Sequence, residues 1–179
     1  VYDELLCSLQ RKSVLKTIAK DVVRLQSRWD KVGVAIFREI EKASGLSFFS
    51  VTDCYVVSHL PEIAISRPLT LRHSKDVDRL LYIMVHELAH ELLTQNKQKV
   101  ALYIDTMFAT MDPAFRHHIP VFLLQERVVT SVFGRAFFLR QQKLDFLLPE
   151  GIIWHTVEEL RPHFKKTLME FLSHDGLVY

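Results

Sequence analysis

Several things are scarce in this 179-residue chain. Cysteine is one: Cys7 and Cys54 are too few for a disulfide framework and do not stand in Cys-x-x-Cys spacing, so each reads as an ordinary thiol. Five glycines and six prolines exclude a fibrous or loop-dominated chain. Long apolar runs are missing too. The longest covers six residues, 80–85, where a bilayer span needs about 20, so no membrane span is expected. Charge of one sign is also scarce. With 23 Lys+Arg against 21 Asp+Glu the net charge is +2, and no basic tract gives a footprint for nucleic acid. The first residue is valine rather than methionine, which leaves any preceding signal peptide, and the compartment, open.

What is present suits a folded domain. The chain is 49% hydrophobic with twelve phenylalanines, enough to build a core, and its length fits one domain. The expected organisation is a helical extension over 1–44, a middle part over 45–139 and a helical C-terminal part over 140–179.

Helical spacing of Val14, Leu15, Ile18, Val22 and Leu25, then of Trp29, Val32, Ile36 and Ile40, predicts helix up to a stop at Gly45. Phe48, Phe49 and Val51, then 54–57, are aromatic and β-branched and suit strands. A further strand is expected over 63–72, placed at a sheet edge because Pro68 removes a ladder donor. From Ser74, Asp76 and Asp78, which suit a helix start, a helix runs through 77–93 with Asn96 as its stop. Residues 98–112 fit helix or strand. Pro120 is placed to open a long helix reaching about Leu139, and 156–173 reads as a last amphipathic helix ended by Asp175-Gly176. The expected class is α+β: a small sheet, mostly before the 77–93 helix, packed against several helices.

Inside that helix stands His86-Glu87-Leu88-Ala89-His90, an H-E-x-x-H pattern. Four positions apart on a helix, two side chains share a face with Cβ atoms about 5–6 Å apart. Two imidazoles so placed can converge on one ion, with Zn–N bonds of about 2.0–2.1 Å. Glu87 projects about 100° round the helix, beside such an ion rather than onto it. There it can take a proton from an activated water and return one to a leaving amine. Tyr82, one turn earlier, can pack beneath the site. Glu91, directly after the second histidine, departs from the usual longer pattern, where that position is uncharged.

A catalytic zinc needs a third protein ligand. Glu126 is the first candidate. On a helix opened by Pro120 it shares an apolar stripe with Phe122, Val129, Phe133 and Phe137, while Arg127, Ser131 and Arg135 mark the wet side. A carboxylate in such a stripe needs a neutralising charge: an ion, or an Arg or Lys from elsewhere. His118, just ahead of that helix, competes as the third ligand or as a group that polarises a substrate carbonyl. His117 points elsewhere if the helix extends back. His59, His73, His155, His163 and His174 lack metal spacing and read as surface or packed residues.

On His86, Glu87 and His90, with Glu126 as the downstream glutamate, the chain resembles the zincin metallopeptidases, and within them the gluzincins, over about 65 residues. The HELAH sequence and short chain also resemble the small bacterial IrrE/ImmA-type proteases. The metzincin extension is absent: Thr94, Gln95 and Asn96 follow instead. The resemblance implies one zinc per chain held by His86, His90 and Glu126, with Glu87 as catalytic base and His118 near the metal. It makes 45–139 the catalytic core, with an edge strand beside the motif helix that pairs with a peptide or protein substrate. Two other readings stand beside it: a zincin-derived binding module without catalysis, and a regulatory protease using 1–44 as a docking arm.

Overall fold

The computed structural model describes residues 12–50, 53–147 and 151–160. It is an α+β arrangement in which helices dominate and a small three-stranded mixed sheet covers one flank. Among the described residues no helix is long and apolar enough to cross a membrane.

The two N-terminal runs form one continuous helix, α1 (Lys12–Ser44), closed by Gly45 at φ 69°. The described part of this helix is no detached arm. Leu25, Ile36 and Ile40 enter the common core, and α1 packs along α2 (Val77–Gln95) and α5 (His118–Phe133). Cys7 lies outside the described residues, and Cys54 is a free thiol.

The expected strand over 63–72 is a hairpin instead. β2 (Ala64–Ser66) and β3 (Leu69–Arg72) pair antiparallel about a turn at Arg67-Pro68, whose peptide bond is cis. Pro68 thus sits in the turn, where its missing N–H breaks no ladder. β1 (Tyr55–Val57) pairs parallel with β3, giving the order β1-β3-β2 and leaving β2 as the edge next to α2. Phe48 and Phe49 belong to a loop rather than a strand.

α2 is the central element. The Asp76 side chain accepts from the Arg79 N–H at its start, and the Asn96 side chain donates to the Leu92 carbonyl at its end. Its burial runs almost all the way round, with every residue from Leu80 to Val85 buried, because α1, the sheet and α5 each cover part of it. The departure at Glu91 has a structural role here. Its carboxylate accepts a two-point contact from Arg67, at 2.7 and 3.0 Å, tying the hairpin turn to the helix.

Residues 97–107 are helical, α3 (Lys97–Met107), followed by the one-turn α4 (Pro113–Arg116). The long helix expected from Pro120 to Leu139 is two helices. α5 starts at His118, with Pro120 in a first turn whose N–H groups have no helical acceptor. It ends at Gly134, whose φ of 89° and ψ of 157° no helix accommodates. The chain then turns into α6 (Arg135–Asp145). α7 (Gly151–Leu160) begins earlier than the last amphipathic pattern suggests, and residues 161–179, with Asp175-Gly176, lie outside the described part. Asp145 at the end of α6 ties three elements together. It accepts from Arg79 at 2.5 Å, the Tyr82 hydroxyl at 2.6 Å and the Trp154 indole at 2.8 Å.

Candidate metal centre

A cleft of about 600 Å³ opens between β2 and the motif helix, with α5 along its far side. His86, Glu87, His90 and His118 all line it. The Nε2 atoms of His86 and His90 stand 3.1 Å apart, as expected for two imidazoles one helical turn apart. The His118 ring meets the His90 ring edge-on at 4.8 Å between centroids and lies 6.1 Å from that of His86. One ring nitrogen from each of the three falls within 4.8 Å of the others.

Glu126 is not brought to this cluster. Its carboxylate accepts from the Arg135 guanidinium at 2.5 Å. On a continuous helix these two residues, nine apart, would face opposite ways. The break at Gly134 folds α6 back and makes the pair. Helix phase explains the rest. Seven positions on from His118 is two helical turns to within about 20°, whereas eight is about 80° off. The face of α5 turned towards the motif helix therefore carries His118, Phe122 and Gln125.

Gln125 is the residue that sequence reading missed. It is 1% exposed, donates from Nε2 to the Tyr82 carbonyl at 3.0 Å and sets Oε1 against His86 Nδ1 at 3.1 Å. The available signal was a glutamine directly after an apolar run, at the seventh position after His118. Phe122 packs edge-on against the His86 ring, at 4.9 Å between centroids.

Burial pulls His86 down to about 4 and His90 to about 2, the second with added repulsion from His86 and His118. Both are therefore neutral, with lone pairs available, at ordinary pH. Burial acts the opposite way on Glu87, raising its carboxyl to about 7, while the Ser66 hydroxyl, donating at 2.7 Å, lowers it.

Compared with known protein families, curated proteins and solved structures, the chain finds no match. The chemistry of the site therefore rests on its own donors. Two nitrogens bound tetrahedrally to zinc at about 2.0–2.1 Å stand about 3.3 Å apart. The His86–His90 separation of 3.1 Å is close to that. Three imidazoles are also a donor set that suits zinc, and three leave a fourth position for water or substrate. The residues fit the ion.

Proposed function

We propose that this chain is a zinc-dependent hydrolase of the zincin type, acting on peptide bonds, with His86, His90 and His118 as the residues that hold the metal. The reading keeps the H-E-x-x-H chemistry and replaces the glutamate ligand of the gluzincin pattern by a histidine. The observation that carries it is the convergence of three imidazoles from two helices beside a buried carboxylate in one cleft.

A zinc ion bound there supplies a water of lowered pKa and polarises a carbonyl oxygen. Glu87 takes the proton of the attacking water and returns it to the departing nitrogen. Burial raises its carboxyl to about 7 in the metal-free chain, and a dication beside it would lower this towards the carboxylate that accepts the proton. Ser66 holds one carboxylate oxygen, which orients the other. Ile63 and Ile65 of the edge strand region line the cleft and shape the wall a substrate meets.

The test is metal content and turnover together. Zinc-reconstituted protein should hold one zinc per chain, and His86→Ala should hold none. Glu87→Gln should keep the zinc and lose peptide hydrolysis by about 10²-fold or more. A His86→Ala variant that retains zinc as tightly as wild type ends the proposal. A wild-type chain that holds zinc but cleaves no peptide supports the binding-module reading instead.

A further inference from the structure

We infer that Gln125 is a positioning residue that locks His86 in the tautomer whose Nε2 lone pair faces the histidine cluster. This deepens the metal-site reading above and rests on it for its functional meaning. The inference starts from an atom whose role is fixed. The Tyr82 carbonyl can only accept, so the nitrogen of the Gln125 amide must face it, at 3.0 Å. That turns Oε1 towards His86 Nδ1, at 3.1 Å. An amide oxygen also only accepts, so the hydrogen between these two atoms belongs to Nδ1. A neutral imidazole carries one N–H, which leaves Nε2 bare. Nε2 is the atom that stands 3.1 Å from His90 Nε2.

The arrangement is hard to undo. Flipping the amide would set oxygen against the Tyr82 carbonyl, which has no hydrogen to give, and lose that hydrogen bond at a side chain that is 1% exposed. Tyr82 and His86 are one turn apart on α2, so Gln125 braces a single turn of the motif helix. The same face of α5 delivers His118, seven residues earlier. One helix face thus contributes a third imidazole and fixes the tautomer of the first. Outer partners of this kind typically change metal affinity by about 10–100-fold when removed.

The full chain labelled with 15N-histidine decides it. Long-range 1H–15N spectra of metal-free wild type at neutral pH should show His86 protonated on Nδ1 and bare on Nε2. Gln125→Met, which keeps length and loses both polar atoms, should show a mixture of His86 tautomers. It should also bind zinc about 10–100-fold more weakly, measured against a chromophoric chelator. A Met variant with the wild-type tautomer and wild-type zinc affinity overturns the inference. So does a wild-type spectrum with the His86 hydrogen on Nε2, whether or not the variant folds. Failure of wild type to bind zinc counts against the proposed function alone, because the tautomer is read without metal.

Discussion

The Ser66 hydroxyl donates to Glu87 Oε2 across 2.7 Å, so the edge strand and the motif helix meet at the carboxylate on which hydrolysis depends in the proposed function. Burial raises Glu87 and this hydrogen bond restrains the rise. Ser66→Ala removes a donor to the charged form. The Glu87 pKa should therefore climb above its wild-type value in metal-free protein. A 13C-carboxyl NMR titration reads it directly, and an unchanged or lower value contradicts the account.

Glu87 also links stability to pH. Its folded pKa of about 7 lies above the ordinary 4.5, so the native state holds the proton more tightly than the unfolded chain. The contribution is complete below pH 4.5 and is lost as pH rises through 7. Glu87→Gln abolishes that loss. Metal-free variant should exceed metal-free wild type in urea unfolding at pH 8 by about 1–3 kcal/mol, with the gap closing towards pH 5.

His118 and Glu126 give opposite expectations for metal. His118→Ala removes one of three converging donors and should weaken zinc binding by several orders of magnitude. Glu126→Gln disturbs the pair with Arg135, away from the three imidazoles, and should leave zinc stoichiometry at wild type. Plasma emission analysis of the two purified variants separates them, and the reverse pattern would restore the glutamate as ligand.

Asp145 is a larger stability determinant than either. It is buried and accepts from Arg79, Tyr82 and Trp154, which come from α2 and α7. Asp145→Ala strands a part-buried guanidinium and two buried aromatic donors, and should cost about 3–5 kcal/mol in urea unfolding. A loss under about 1 kcal/mol would show that the cluster is not coupled to folding.

Gly134 isolates a backbone effect. A Cβ added there meets nothing within 4 Å, yet its φ is +89°. Gly134→Ala should still destabilise the chain, by about 1–3 kcal/mol, because only glycine adopts that conformation cheaply. A neutral result would mean that the α5–α6 break is pliable.

The motif helix and its two ends were legible in the chain because they depend on local rules. The cap at Asp76, the stop at Asn96 and the pairing of His86 with His90 all act within a turn or two of helix. The α+β class followed from the same patterns. Which distant groups meet those histidines was another matter. Apolar spacing placed Glu126 in a stripe running past Phe133 to Phe137, but a positive φ at Gly134 cuts the helix and hands Glu126 to Arg135. A one-residue change of reference on α5 then swaps a carboxylate for Gln125 and His118. Pro68 likewise marked a break in strand pairing, while the hairpin that brings Ser66 to Glu87 needed the partner register. Residue type and spacing determined that two imidazoles and a glutamate share one helix. The packing angle of α5 and the hairpin's fold decided their company, because those depend on contacts between residues tens of positions apart that no local period encodes.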